Sequence, residues 1–177
     1  TTGLTLADLL PKSILQDNNG NGVIETDGVG DSITRGTGDF IAPDSFVTSA
    51  GSPPDGTEAG YPLRIESLLG LPVTNLGVPG ERLVANILPR FAREVFTRRP
   101  DVSIISGGTN DSFFLVSSAA FFRAIQTMIN IAHASGVTPV LMAIPPVCCD
   151  SAGLAPFISS FNVQLRVASV INETPLS

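Results

Sequence analysis

Short apolar runs that alternate with helical patterns are the feature that most narrows what this chain can fold into. Pro72 to Leu76, Val102 to Ile105 and Thr138 to Ile144 read as strands, and each stops at Gly or Pro. Between them, Tyr61 to Leu69, Glu81 to Phe96, Ser117 to Ala134 and Pro156 to Ile171 read as helices. In the second of these, Leu83, Ile87, Leu88, Phe91 and Val95 share one helical face. A strand–helix alternation of this kind predicts a parallel sheet with helices on both faces. Strands covered on both sides need no polar alternation, and these runs show little. Right-handed crossovers then leave only a few doubly wound topologies. No repeat or linker divides the 177 residues, so residues 1–177 are expected to form a single domain.

In an open α/β sheet, ligands bind beyond the carboxyl ends of the strands. Three loops are expected there. Gly28-Val29-Gly30 runs into Asp31-Ser32-Ile33-Thr34, the second strand into Gly77-Val78-Pro79-Gly80, and the third into Gly107-Gly108-Thr109-Asn110-Asp111. A hydroxyl, a glycine amide and a carboxamide at neighbouring strand ends make a nucleophile with donors for a developing oxyanion. Taken singly, each residue is an ordinary cap or turn residue. Their occurrence at three successive strand ends is what points to chemistry.

The blocks Gly30-Asp31-Ser32-Ile33-Thr34, Asn75-Leu76-Gly77-Val78-Pro79-Gly80 and Gly108-Thr109-Asn110-Asp111 resemble, in order and spacing, the first three motifs of the SGNH, or GDSL-type, esterases and lipases. The resemblance runs from about Val29 to Ile171. It implies a flavodoxin-like three-layer α/β sandwich with strand order 2-1-3-4-5. It also implies that Ser32 is the nucleophile, and that the Ser32 amide, the Gly77 amide and the Asn110 side chain form the oxyanion hole. Asp31 and Asp111 are read as carboxylates that shape their loops.

The family's last motif, Asp-x-x-His, does not occur here. The single histidine, His133, falls near the far end of the helix that follows the third strand. Eighteen helical residues place it about 27 Å from the catalytic edge, so it reads as a helix C-terminal residue before Gly136. Catalytic base and acid are therefore not found in this chain. Loss of the base costs serine hydrolases about 10⁶ in kcat, leaving about 10³–10⁴ over water. The 177 residues alone are expected to be nearly inactive, with order 2-1-3-4, a missing fifth strand, and the fourth strand left as an exposed edge of marginal stability.

Composition narrows the partners. Sixteen acidic residues against ten basic ones give a net charge of −6, which argues against nucleic acid and anionic membranes. No apolar stretch is long enough to span a bilayer. Ser, Thr, Gly and Asn are plentiful, Lys12 is the only lysine, and the chain opens at Thr1 without Met, so a processed, secreted product is expected. Cys148 and Cys149 are adjacent, which disfavours a bond between them and offers no zinc spacing. Asp17, Asn19, Asn21, the carbonyl of Val23 and Glu25 fall at calcium-loop positions, with Gly22 at the sixth place. Gly28 stands where the bidentate Glu belongs, so a solvated turn is the competing reading.

The expected activity is hydrolysis of a short acyl ester, such as an acetyl group on a carbohydrate, through a Ser32 acyl-enzyme and without a cofactor. A short-chain lipase or lysophospholipase is the nearest rival. A non-catalytic binding domain that kept the cleft and lost the base is the alternative of a different class. A nucleotide site is disfavoured, because there is neither a Gly-x-Gly-x-x-Gly pattern nor a P-loop lysine.

Overall fold

A computed structural model describes residues 15–37, 60–146 and 153–177. Four parallel strands, β1 (Thr26–Gly30), β2 (Val73–Gly77), β3 (Val102–Ile105) and β4 (Thr138–Leu141), form one sheet in the order β2-β1-β3-β4. The helices are α1 (Ser32–Arg35), α2 (Gly60–Leu69), α3 (Leu88–Arg98), α4 (Thr109–Phe113), α5 (Ser118–Ala134) and α6 (Ala155–Ile171). A π-helical turn, Leu83–Ile87, leads into α3. This is the predicted three-layer α/β arrangement.

One face of the sheet is buried by α3, α5 and α6. Val29 and Ile105 from the strands meet Leu83, Ile87, Phe91 and Val95 from the α3 side. Phe121 of α5 and Phe161 of α6 stack with ring centroids 4.3 Å apart. The predicted spacing of four in Leu83, Ile87, Phe91 and Val95 is the buried stripe. On the opposite face, Val102, Ile104 and Val140 pack against Tyr61, Ile65 and Leu15.

The sheet has four strands in the expected order, without a fifth among the described residues, but the expected bare edge of β4 is partly covered. Residues 175–177 run parallel to β4 and take the fifth strand's place. Leu141 N–H donates to the Pro175 carbonyl (2.8 Å), Ser177 N–H to the Leu141 carbonyl (3.0 Å), and Ala143 N–H to the Ser177 carbonyl (2.9 Å). Leu176 joins the main core. The outer edge of β4 is thus paired at the carboxyl end of the strand by three extended residues.

β1 also departs from the apolar pattern. Thr26 and Asp27 are buried in the middle of the sheet. The Asp27 carboxylate is held by Arg98 of α3, with Nε at 2.9 Å from Oδ2. Burial pushes its pKa up, against the opposing pull of Arg98. Cys148 and Cys149 lie outside the described residues.

Candidate active site

β1 lies between β2 and β3, so the loops that follow these three strands are neighbours at one edge of the sheet. Ser32 is the first residue of α1 and is half-buried. Asp31 caps that helix: its Oδ1 accepts the Ile33 N–H at 2.9 Å. Its Oδ2 is buried with no hydrogen-bond partner among the described residues. Burial raises the Asp31 pKa, the Ile33 amide opposes this, and the nearby Asp111 charge adds to the rise. The Ser32 carbonyl accepts the N–H groups of Gly36 and Thr37, both at 3.0 Å, which closes the short helix. Among the described residues no hydrogen bond engages the Ser32 hydroxyl or its N–H.

Gly30 and Gly77 permit this packing. A Cβ on Gly30 would lie 2.0 Å from Thr34 Oγ1 and 2.9 Å from the Ser106 carbonyl. A Cβ on Gly77 would lie 2.3 Å from Arg35 N and 2.8 Å from the Asp31 carbonyl. Glycine at both positions lets α1 nest between the ends of β1, β2 and β3.

The structure gives Gly77 a bond of its own. Its N–H donates to Asn75 Oδ1 at 2.9 Å, and it is buried beneath α1. Gly80, three residues on, is exposed with φ +80°. No hydrogen bond engages its N–H among the described residues.

Asn110 is the second residue of α4. Its Nδ2 donates to the carbonyl of Glu81, next to Gly80, at 2.8 Å. A carboxamide nitrogen carries two hydrogens, so this bond fixes the side chain and leaves one donor. Asp111 turns the other way. Its Oδ2 accepts the Leu83 N–H (2.6 Å) and its Oδ1 the Val84 N–H (3.0 Å), capping the π-helical turn from another loop. Burial raises its pKa while these two amides pull it down. Both aspartates have the loop-shaping contacts expected of them.

A cleft of about 550 Å³ opens beside Ser32. Its walls include Ile33, Gly36, Tyr61, Met142 and Ser177. Tyr61 is held against β1, with its hydroxyl 3.3 Å from Thr34 Oγ1, and burial raises its pKa. His133 is exposed near the end of α5, the end remote from the loop that joins α5 to α4.

The calcium-loop positions sit on one turn. Asp17 accepts the N–H groups of Gly20 (2.7 Å) and Gly22 (2.8 Å), Asn19 that of Asn21 (2.9 Å), and Asn21 that of Val23 (2.8 Å). Asn21 Nδ2 donates to Glu25 Oε2 at 2.9 Å. The buried Asp101 anchors the turn by accepting from Asn18, Asn19 and Glu25 amides. Sequence reasoning missed Asp101, and the only signal for it was an acidic residue ahead of an apolar run. Among the described residues no three His, Cys, Asp or Glu side chains cluster as a metal site. Among the same residues no helix is long and apolar enough to cross a membrane.

The four-stranded sheet and these three loops define an SGNH-type hydrolase domain. Residues 29–172 match the family model of the GDSL-like lipase/acylhydrolases, and the chain belongs to that family of ester hydrolases. Among solved structures, a G-D-S-L family protein from Desulfitobacterium hafniense DCB-2 is 19% identical, with a TM-score of 0.69 over 86% of this chain and 75% of that one. The SGNH-hydrolase family esterase AlinE4 is 18% identical, with a TM-score of 0.65 over 87% of this chain and 75% of that one. The acetyl xylan esterase AlAXEase is 16% identical, with a TM-score of 0.65 over 86% of this chain and 76% of that one. No curated protein matches the chain in a sequence comparison.

Proposed function

We propose that the cleft beside Ser32 carries out acyl transfer on a short-chain ester. The Ser32 hydroxyl attacks the ester carbonyl, the alcohol leaves, and water then releases the acid from the Ser32 ester. The observation that carries this reading is that Ser32 lines the cleft with a hydroxyl that no hydrogen bond engages among the described residues, while on the third loop the Asn110 carboxamide is fixed on Glu81 and keeps one donor. The Ser32 N–H and the remaining Asn110 N–H would stabilise the oxyanion.

For the backbone donor on the second loop we assign Gly80 in place of Gly77. The Gly77 amide is already given to Asn75, and a donor that must first break a bond is a poor oxyanion donor. Gly80 precedes the residue that anchors Asn110. Small acetyl esters on carbohydrates are the substrate class we favour. A likeness in fold to an acetyl xylan esterase supports this.

A second reading, ligand binding without turnover, is favoured by one observation. The only histidine in the 177 residues is remote from Ser32. Labelling with a fluorophosphonate, together with hydrolysis of p-nitrophenyl acetate, separates the two. Esterase function requires Ser32-dependent labelling and hydrolysis that Ser32→Ala abolishes. Asn110→Ala should lower that hydrolysis by about 10²–10³. Binding of an acetylated sugar with neither labelling nor turnover establishes the second reading.

A further inference from the structure

One guanidinium is bonded to two of the three site loops and, through Glu81, is linked to the third. Arg90 lies on α3, two residues into that helix from the π-helical turn. In that turn Ile87 N–H donates to the Arg82 carbonyl and Leu88 N–H to the Leu83 carbonyl, a spacing of five. One extra residue in a turn rotates everything beyond it by about 100° about the helix axis. The turn therefore sets which way Arg90 faces, and it faces the ends of β1 and β2.

Its contacts use the whole guanidinium. Nη2 donates to the carbonyls of Gly30 (3.1 Å) and Leu76 (2.9 Å). Nε donates to Glu81 Oε2 at 2.7 Å. Nη1 meets both oxygens of Glu94, at 2.6 and 2.7 Å. The side chain is only 12% exposed. Gly30 is two residues from Ser32, Leu76 opens the second loop, and the Glu81 carbonyl holds Asn110. Two carboxylates balance the charge, and the carbonyls take donors that a point charge on a flexible stem cannot place together.

We infer that Arg90 is a positioning residue for this site, setting the spacing between the nucleophile and the two donor-bearing loops. The inference rests on the reading of Ser32 and Asn110 given above. It is a role exerted through Gly30, Leu76 and Glu81, without contact with substrate.

The test compares Arg90→Lys and Arg90→Met with the parent protein. Two readouts are taken: amide hydrogen exchange, and kcat and KM for Ser32-dependent hydrolysis of p-nitrophenyl acetate. In both variants, exchange should rise about tenfold or more at Val78, whose N–H is bonded to Gly30, and at Glu81, whose N–H is bonded to Val78. Met128 and Ile129, buried in α5, should keep their protection. The kcat should fall about 100-fold for Arg90→Met, and less for Arg90→Lys, with KM within about threefold. Unchanged exchange at Val78 and Glu81 in a folded variant overturns the inference, whatever the kinetics. Raised exchange with an unchanged Ser32-dependent kcat also overturns it, since Arg90 would then serve stability alone. If Arg90→Met fails to fold, Arg90→Lys decides. If Ser32→Ala leaves the parent's hydrolysis unchanged, the esterase reading has failed, and the exchange data alone decide whether Arg90 joins the loops.

Discussion

Asp111 Oδ2 accepts the N–H of Leu83 at 2.6 Å, 28 positions away in the chain. A carboxylate on the third loop thereby caps a helical turn on the second. Its neighbour Asn110 reaches the same loop through Glu81. The two adjacent side chains, one anionic and one neutral, divide the work of holding the loop and presenting a donor. Asp111→Ala leaves the buried Leu83 amide and the half-buried Val84 amide without acceptors. It should destabilise the protein by about 3 kcal/mol, while Asp111→Asn, which keeps one acceptor oxygen, should cost about half as much. Urea unfolding measures both, and equal stability of all three proteins would show that the cap contributes nothing.

The two glycines of the second loop should differ in how much they tolerate a side chain. Gly77→Ala puts a Cβ against the backbone of Arg35 and Asp31, so α1 must shift. A loss of about 1–3 kcal/mol is expected, together with loss of Ser32-dependent hydrolysis. Gly80→Ala meets nothing within 4 Å and bears only the cost of a positive φ, about 1 kcal/mol. Thermal melts of the two variants side by side check the contrast.

Asp31 should make the fold sensitive to pH. Burial lifts its pKa above 3.8, so the folded state holds a proton that the unfolded state releases. Its contribution to stability is therefore greatest at low pH and declines as pH rises from about 3.8 through the folded-state pKa. Asp31→Asn keeps an oxygen for the Ile33 amide and removes the buried charge. At pH 7 it should raise stability by about 1 kcal/mol, an advantage that shrinks to nothing near pH 4. A melting series of both proteins from pH 4 to about pH 8 tests the sign. A gain that persists unchanged to the acid end would rule out the charge as its cause.

Arg98 and Asp27 should be coupled in the same manner. Removing Arg98 strands a buried carboxylate in the central strand. Arg98 itself is 39% exposed, so the loss on Arg98→Ala should be about 2 kcal/mol, below that for a fully buried pair. The deficit should be full at neutral pH and lessen as Asp27 takes up a proton in acid. Denaturant midpoints at pH 7 and about pH 4.5 measure it.

Most helix limits were legible because they depend on local pattern, whereas the sheet order was available only through the family resemblance. Val102–Ile105 is a strand because three apolar residues and one serine lie between turn signals. Leu83, Ile87, Phe91 and Val95 are buried because a spacing of four keeps them on one face. The π-helical turn was not legible, since one inserted residue leaves that spacing unbroken. Nor was the buried Asp27 in β1, whose partner is 71 positions away. The fifth-strand pairing at residues 175–177 was hidden as well, because three residues carry no periodicity to read.

The site divides along the same line. Residue type and order alone placed Ser32, Asn110 and a glycine-bearing loop at neighbouring strand ends, because parallel strands with right-handed crossovers bring successive loops to one edge. Which glycine amide is free was beyond the sequence. The Asn75 side chain claims Gly77, and only three-dimensional hydrogen bonding reveals that claim. The grip of Arg90 on Gly30, Leu76 and Glu81 was also decided by tertiary structure, because it depends on a helix register set by one wide turn and on carbonyls from two different strands. Local pattern follows from the period of the backbone, whereas the commitment of each polar group depends on which distant groups the fold brings within 3 Å or so of it.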